Sequence, residues 1–329
     1  MTDRGGRVTD TRPTNRQATK RRGTQPSQRS RTTTPSRTPA SFLARNALWL
    51  MLAVVAALGA ILLVLSRDAS TTEDRGTGGF TGGDFHSMVV DPADPQRLFV
   101  GGHEAVSMST DGGRSWNEIE QLRDADAMGW TFSSDAIYVS GHPGLSRSTD
   151  DALTFERINE GLPDTDVHAF GGTDEILYGS APSVGVFAKV GGEEWQVRTE
   201  SVGQSFFGRI LVGPDDPDRL FAADAAAGVA ASDDGARTWQ LLDSGLPAAS
   251  WVSRGGTAQD VLVGSGPAGA AVSLDGGETW RRIDTPNGVT IVEATSEDGL
   301  LYGGRHDGSN VEVFVSRDLG DSWSPVTDR

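Results

Sequence analysis

The segment STDGGRSW, residues 109–116, is the first of six related segments in the second part of the chain. Its pattern, S-x-D-x-G-x-[ST]-W, returns twice intact, twice weakened and once eroded to the point of lacking both the Ser and the Asp. These copies are SLDGGETW at 273–280, SRDLGDSW at 316–323, STDDALTF at 148–155, SDDGARTW at 232–239 and the eroded AKVGGEEW at 188–195. Consecutive segments start 39, 40, 44, 41 and 43 residues apart, and a nearly fixed period of this length indicates a repeat architecture.

Each residue type in the pattern has a physical role in a tight turn. We predict that the Asp side chain accepts hydrogen bonds from backbone N–H groups, that the Gly takes a positive φ, and that the Trp packs between neighbouring sheets. The predicted structural residues are Asp111, Asp150, Asp234, Asp275, Asp318, Trp116, Trp239, Trp280 and Trp323.

Short apolar runs that end in small residues precede each segment and predict the second strand of each period, while runs further upstream predict the first strand. The predicted second strands are LFVGG at 98–102, IYVSG at 137–141, LYGSA at 177–181, LFAAD at 220–224, VLVGS at 261–265 and LYGGR at 301–305. An alternating outer strand follows each Trp or Phe. Six such units predict an all-β fold, a six-bladed β-propeller of four-stranded blades over residues 84–329. Because the first unit begins with its inner strand and the last ends with its outer strand, we expect the ring to close without strand exchange.

The repeated segment resembles the Asp-box, also called the BNR repeat, over roughly residues 84–329. The chain is similar to bacterial Asp-box propellers of the glycosyl-hydrolase-like or exo-sialidase-like type, and to sortilin-type and photosystem-assembly-type propellers, which act by binding. The matching stretches are FHSMVVDPADP at 85–95, LFVGGHEAVSMSTDGG at 98–113, DADAMGW at 124–130 and IYVSGHPG at 137–144. The resemblance implies the fold and says little about function, because the box is a structural element.

The residues argue against a true sialidase. A sialidase resembling its family needs an arginine triad, a Tyr nucleophile paired with Glu, and an RIP-type motif. No RIP-type motif occurs, and Arg254 and Arg305 do not make a triad. The three tyrosines, Tyr138, Tyr178 and Tyr302, share one position of the second strand, so we interpret them as packing residues.

The charge of the chain is divided between two regions. The formal net charge is −16, but residues 1–45 carry +9 and residues 46–329 carry −25. The 20 residues at 47–66, ALWLMLAVVAALGAILLVLS, are uncharged, and at 1.5 Å per residue they match the thickness of a bilayer core. We therefore predict a transmembrane helix at 46–66, in preference to a buried core helix or a cleaved signal peptide.

The predicted span fixes the remaining organisation. The positive-inside rule places residues 1–45 in the cytoplasm as a disordered basic tail, and the span then acts as a signal anchor in the cell membrane. Residues 67–83 are predicted to be a flexible linker to an extracytoplasmic propeller. The chain has no cysteine, which excludes disulfides, thiolate zinc sites and a cysteine nucleophile. The acidity of the propeller argues against nucleic acid as a partner.

All five histidines occupy equivalent positions in the repeat. His103, His142 and His306 each follow a second strand, while His86 and His168 precede first strands, where the second unit has Asp126. These strand ends meet at one mouth of a propeller channel. We therefore predict a metal site for zinc or copper, or else a proton-transfer site, with His306 at its margin. Its ligands are His86, His103, Asp126, His142 and His168. Inheritance by duplication, with the histidines merely solvated, is the alternative.

The residues predicted at this channel mouth are consistent with two functions. The favoured one is a membrane-anchored propeller that binds a ligand, a small molecule, glycan or protein, with Arg305 and His306 among the binding residues. The alternative is an extracytoplasmic glycoside hydrolase, which needs two carboxylates flanking the scissile bond. Asp126 and Glu104 are the candidate catalytic pair, and Asp166 and Glu293 are further carboxylates expected near the mouth.

Overall fold

The computed structural model describes residues 78–142 and 144–327. The chain divides into two units, residues 1–71 and 72–329, and every described residue belongs to the second. The predicted tail at 1–45, the transmembrane helix at 46–66 and the linker as far as residue 77 lie outside the described residues. Within residues 78–142 and 144–327, no helix is both long and apolar enough to cross a bilayer.

The described part of the chain is all-β, as predicted, with a single turn of 3-10 helix at Glu120–Leu122. After a short strand β1, Gly79–Phe80, the strands follow one another in antiparallel sets of four. The first strands of these sets are β2 (Ser87–Asp91), β6 (Gly129–Phe132), β10 (Ala169–Gly172), β14 (Phe206–Val212), β18 (Trp251–Gly255) and β22 (Val289–Ala294). The second strands are β3 (Asp94–Gly101), β7 (Ile137–Gly141), β11 (Ile176–Ala181), β15 (Leu220–Asp224), β19 (Val261–Gly266) and β23 (Leu301–Asp307).

The third and fourth strands complete each set. The third strands are β4 (Val106–Ser109), β8 (Gly144–Ser148), β12 (Gly185–Val190), β16 (Gly228–Ser232), β20 (Gly269–Ser273) and β24 (Asn310–Ser316). The fourth strands are β5 (Asn117–Glu118), β9 (Glu156–Arg157), β13 (Gln196–Thr199), β17 (Gln240–Leu241), β21 (Arg281–Ile283) and β25 (Ser324–Pro325). Each repeated segment joins a third strand to a fourth.

The first strands pack around a common axis. Each contacts the first strand of the next set, and β22 contacts β2, so the contacts run through the whole ring. Between β10 and β14 the approach is close enough for parallel pairing, with Ala169 opposite Gly208. The first strands are almost wholly buried because the flanking sheets cover them, and apolar clusters fill the spaces between adjacent sheets. The architecture is a β-propeller.

The repeated segments are held by side-chain hydrogen bonds to the backbone, as the pattern predicts. In the copy at 273–280, Ser273 Oγ donates to Asp275 Oδ1 at 2.7 Å and accepts from the Gly277 N–H at 2.8 Å. Asp275 accepts from the N–H and the hydroxyl of Thr279, and Trp280 Nε1 donates to the Gly277 carbonyl at 3.1 Å. The hydrogen bonds from Thr279 lower the pKa of Asp275 to about 2. The carboxylate is therefore ionised wherever the protein is folded near neutral pH.

The N-terminal edge of the described region corrects two expectations. Residues 78–83 were predicted to belong to the linker, yet Gly79 and Phe80 form β1 and pair with Val311 and Asn310 of β24. The strand β25 pairs with the same edge of β24 further along, at Phe314 and Val315. The outer strand of the last set is thus shared between the start and the end of the propeller. The ring closes through this exchange and not by packing alone, because β24 is long enough, at seven residues, to pair with both.

Replacement of Ser273 by Ala tests the role of the turn hydrogen bonds in stability. Ser273 is buried, so its loss leaves the Gly277 N–H without its acceptor. We expect the free energy of unfolding to fall by about 1–3 kcal/mol, the usual cost of an unsatisfied buried donor. Urea unfolding of the full-length chain, followed by tryptophan fluorescence, measures this change.

Leu274→Ala is the matched control, because Leu274 lies in the same turn with 49% of its surface exposed. We expect its effect to stay within about 0.5 kcal/mol. Equal losses in the two variants would show that the turn tolerates no change at all, and that the hydrogen bond is not the cause.

Candidate metal site at the channel mouth

The histidines are brought together by the antiparallel register of the first and second strands. In the first set Ser87 lies opposite Gly101, and the His86 N–H donates to the Gly101 carbonyl at 2.8 Å. In the third set the His168 N–H makes the same bond to Ser180, at 2.9 Å. The start of each first strand therefore lies beside the end of its second strand, at one mouth of the channel.

Two glycines allow the acidic loops to reach this mouth. A Cβ on Gly102 would lie 2.4 Å from the Asp84 carbonyl oxygen, and a Cβ on Gly141 would lie 1.9 Å from that of Asp126. Any other residue at either position would push the loop away. Since His103 and His142 directly follow these glycines, each Gly-His pair fits an acidic loop against the strand and adds an imidazole beside it.

Seven side chains form what we call the His–Asp cluster. They are Asp84, His86, His103, Asp126, His142, Asp166 and His168. Their ligand atoms fall into three overlapping groups in which all atoms lie within 4.8 Å of one another. Each group contains both imidazole nitrogen and carboxylate oxygen.

The first group lies around Asp84. Its Oδ1 accepts the backbone N–H of His103 at 2.7 Å, and its Oδ2 contacts His103 Nδ1 directly. His86 Nε2 lies 3.2 Å from the same Oδ2 and 3.3 Å from His103 Nδ1. Two histidines and one carboxylate thus share a small volume at the edge of the mouth.

The middle group is centred on Asp126, whose side chain is only 3% exposed. Its Oδ1 lies 3.1 Å from His86 Nε2, and its Oδ2 lies 2.6 Å from His142 Nδ1 and 3.3 Å from His103 Nε2. Despite these distances, neither oxygen accepts a well-aligned hydrogen bond from any part of the chain that the structure describes. Three imidazole nitrogens therefore lie within 3.3 Å of this carboxylate without an aligned hydrogen bond to it.

The third group lies around Asp166. Its Oδ1 contacts His142 Nε2 and lies 2.8 Å from His168 Nε2. His142 therefore reaches Asp126 with one ring nitrogen and Asp166 with the other, as His103 reaches Asp126 and Asp84. Phe207, at the start of β14, closes the far side of the mouth, with its ring centroid 5.4 Å from that of His86 and 5.8 Å from that of His168.

The backbone and the charges of the mouth are both under constraint. Asp126 has φ +48°, a left-handed conformation that non-glycine residues seldom adopt, and such conformations concentrate at functional sites. The hydrogen bond to Asp84 raises the pKa of His103 above its usual value. Burial acts to raise the pKa of Asp84, but its hydrogen bonds with the backbone and ring of His103 hold it below the usual range. His103 and Asp84 thus favour the charged pair.

The predicted ligands His86, His103, Asp126, His142 and His168 all lie in the cluster. Asp166, which was expected near the mouth as a carboxylate and not as a metal ligand, lies there too, whereas Glu104, Glu293, Arg305 and His306 lie outside the cluster.

Arg305 is engaged elsewhere, because it pairs with Glu312, opposite it on β24, and donates to the Asn287 carbonyl at 3.1 Å. His306 Nε2 contacts the Gly82 carbonyl at 3.1 Å, beside the cluster but outside it. Glu104 is exposed and its side chain packs over Gly82. Glu293 was expected near this mouth, yet it is buried within the channel against Arg209 and Trp251, because it is the last but one residue of β22.

Sequence reasoning did not assign Asp84 and Asp166 to the metal site, although a repeated signal was present. Each lies two residues before a cluster histidine, in the D-x-H pairs Asp84–His86 and Asp166–His168. The second set has the same spacing in its D-x-D sequence, which ends at Asp126. With this spacing, a tight loop places the Asp carboxylate beside the imidazole of the histidine two residues later.

The raised pKa of His103 gives a prediction for proton NMR. The ring protons of His103 should titrate above the usual value near 6.5, and Asp84→Asn should bring the midpoint back towards it. A raised folded-state pKa adds stability that is present below the unfolded pKa and is lost as pH rises through the folded one. Asp84→Asn should therefore remove stability mainly at the acidic end of that range. Measurements use the metal-free chain.

Asp164→Asn is the control for that titration. Asp164 lies on the same face, where it accepts the Asp166 N–H and the Ser183 hydroxyl, and it has no contact with His103. Its neutralisation should leave the midpoint of His103 nearly unchanged. An equal shift from both variants would mean that the net charge of the face, and not the hydrogen bond to Asp84, sets the pKa.

No family model matches the sequence, and no curated protein matches it. Solved structures do match. A GH74 xyloglucanase from Xanthomonas campestris aligns with a TM-score of 0.52 and 14% identity, over 76% of this chain and 46% of that one. A chain of a nidogen/laminin complex aligns with a TM-score of 0.52 and 12% identity, over 67% of this chain and 88% of that one.

A GH74 enzyme from Niastella koreensis aligns with a TM-score of 0.48 and 16% identity, over 71% of this chain and 37% of that one. The chain thus spans less than half the length of either GH74 enzyme. At these identities the likeness of the better-aligned structures concerns the fold, and it supports the β-propeller architecture.

Proposed function

We propose that this chain is a membrane-anchored, extracytoplasmic binding protein, and that its six-bladed Asp-box propeller binds a divalent transition metal ion, zinc or copper, at the His–Asp cluster. The observation that carries the proposal is Asp126. A carboxylate that is 97% buried, ringed by imidazoles and without an aligned hydrogen-bond donor is costly unless a cation lies beside it.

The donor set favours a transition metal over calcium or magnesium. Calcium and magnesium prefer oxygen ligands throughout, whereas the cluster offers four imidazole rings beside three carboxylates. Imidazole nitrogen combined with carboxylate oxygen suits zinc and copper. His103 and His142 each direct both ring nitrogens into the cluster, so the groups share ligands.

The charge of the chain agrees with such a role. Residues 46–329 carry a net charge of −25, which attracts cations to the propeller and repels polyanions. The uncharged run at 47–66 supports an anchor in the cell membrane with the propeller outside. Without cysteine, a metal in this compartment has to be held by histidine and carboxylate, which are the residues that meet at the mouth.

Metal binding to the purified full-length chain tests the proposal. The protein is prepared in detergent without a polyhistidine tag, stripped with chelator, exposed to zinc or copper sulfate, and analysed for bound metal by mass spectrometry. We expect at least one equivalent to remain after desalting. At a metal concentration of about 100 Kd the melting temperature should rise by about 5–10 °C. Absence of stoichiometric metal after exposure to both ions rejects the proposal.

Variants locate the bound ion. His103→Ala, His142→Ala and Asp126→Asn should each weaken binding by at least about tenfold, because each removes a donor from the shared set. His306→Ala is the matched control, since His306 also follows a second strand but lies outside the cluster. Its affinity should equal that of the unchanged protein. Equal loss in His306→Ala would place the ion elsewhere.

The alternative is an extracytoplasmic glycoside hydrolase using Asp126 and Glu104. The fold likeness to the xyloglucanase and the three carboxylates at the mouth favour it. Against it, Asp126 is enclosed by three histidines and offers little surface to a sugar. Turnover of chromogenic glycosides that is abolished by Asp126→Asn but insensitive to chelator would replace the metal-binding proposal with this one.

A further inference from the structure

A second site lies inside the channel, towards the opposite mouth. It is a cavity of about 170 Å³ bounded by the far ends of the first strands and by the hairpins that follow them. Every set of strands contributes to its wall. One lining residue from each first strand is Val90, Thr131, Gly172, Arg209, Arg254 and Glu293. We call this space the axial cavity, and none of its lining residues belongs to the His–Asp cluster.

Arg254 lines the axial cavity and has no carboxylate partner among the described residues. Its Nη1 donates to the Val212 carbonyl at 2.5 Å, and its guanidinium lies 5.5 Å from the ring centroid of Phe221. No Asp or Glu of the described chain forms an ion pair with it. Burial, with repulsion from Arg209 and Arg219, lowers the pKa of Arg254 to about 10. The site therefore holds a partly buried positive charge that no carboxylate of the described chain pairs with.

The second arginine, Arg209, is only partly neutralised. Its Nη1 lies 2.8 Å from Glu293 Oε1, and Trp251 Nε1 donates to the other oxygen of Glu293 at 2.8 Å. Burial raises the pKa of Glu293 to about 7 in spite of these donors. Arg209 therefore shares its one carboxylate partner among the described residues with Trp251.

The remaining charged group at the cavity is Asp91, and it does not compensate the charge of Arg254. Asp91 accepts the Ala93 N–H at 2.8 Å and pairs with Arg97 at 3.1 Å, and Arg97 lies outside the cavity. The charged side chains of the cavity wall are thus Asp91, Arg209, Arg254 and Glu293, and Arg254 has no counter-ion. Two positive and two negative side chains thus line the cavity, and Arg254 is the one for which the described residues provide no ion-pair partner.

We propose that the axial cavity binds a small carboxylate anion, with Arg254 as its principal ligand and Arg209 as the second. The planar guanidinium matches a carboxylate with two parallel hydrogen bonds, and a partly buried charge without an ion-pair partner favours a counter-ion. The volume of the cavity limits the class of carboxylate that it can hold. At about 30 Å³ per water-sized group, the cavity holds roughly six non-hydrogen atoms. Ile210 and Phe132 add apolar surface to the wall, which suits a carboxylate with a short carbon chain better than phosphate.

Calorimetric titration of the metal-free full-length chain with sodium acetate tests this assignment, at constant ionic strength and in the absence of chloride. We expect a single site with a dissociation constant on the order of 1 mM, since a ligand of four non-hydrogen atoms supplies limited affinity. Acetamide has the same shape without the charge and should not bind. Gluconate is too large for the cavity and should bind at least about tenfold more weakly. Tighter binding of inorganic phosphate than of acetate overturns the assignment to carboxylates.

Arg254→Gln locates the site and should weaken acetate binding at least about tenfold. Arg219→Gln is the matched control, because Arg219 also stacks on Phe221 but pairs with Asp233 outside the cavity. Its affinity should not change. If Arg254→Gln does not fold, Arg254→Lys carries the test, with a loss of several-fold expected. Unchanged affinity in a folded Arg254 variant, or equal heats with acetate and acetamide, overturns the proposal. Chelator in every titration keeps the outcome independent of the His–Asp cluster.

Discussion

The closure of six short first strands around one axis is the constraint on which the rest of this structure depends. Each of these strands has one neighbour on either side, and β22 meets β2, so no first strand can shift without moving the next. The shared edge of β24 locks this ring, since β1 and β25 pair with it at successive positions. A ring of strands has two ends and one interior, and any side chain at either end is brought near its counterparts from the other sets. The closed ring therefore brings side chains from different sets together at each end, whatever residues occupy those positions.

The two ends of the ring carry opposite chemistry. At the starts of the first strands, loops bring three carboxylates and four imidazoles together around Asp126. Deeper in the channel and towards the other end, Arg209 and Arg254 face a cavity in which Glu293 provides the one carboxylate bonded to either of them. Under the two proposals, the first arrangement binds a cation and the second binds an anion. Because the groups are held by strands of different sets, neither site exists unless the ring is closed, and binding at either should favour the closed ring over the unfolded chain.

The repeat determined how much of this could be predicted from the sequence. The Ser–Asp turns recur in five copies and the strand order in all six units, so local patterns are enough to predict both. The convergence of His86, His103 and Asp126 also follows, since antiparallel register alone brings strand starts beside strand ends. The pairing of Arg305 with Glu312 could not be predicted, because it depends on a cross-strand register that the repeat does not reveal. Glu293 was placed at the wrong depth for a related reason: its position within β22, and not its place in the repeat, sets its depth in the channel. The strand β1 was missed because two residues, one of them Gly, carry no periodic signal.

The chemistry of the His–Asp cluster is decided by competition between protons and a cation for the same charge. Asp126 is buried. An ionised carboxylate in this position requires positive charge within a few ångströms. A protonated imidazole can supply it, and the contact between His103 and Asp84 shows how one ring is already biased towards the charged form. Protonation of His103, however, occupies the nitrogen lone pairs that would bind a metal, so the two solutions exclude each other. The left-handed backbone at Asp126 and the glycine at 141 keep the carboxylate in this position under either solution. If a protonated imidazole alone balanced the charge of Asp126, a single His–Asp salt bridge would be sufficient. Under the proposal of a bound metal, a cation that several donors share accounts for the overlap of the three groups through His103 and His142.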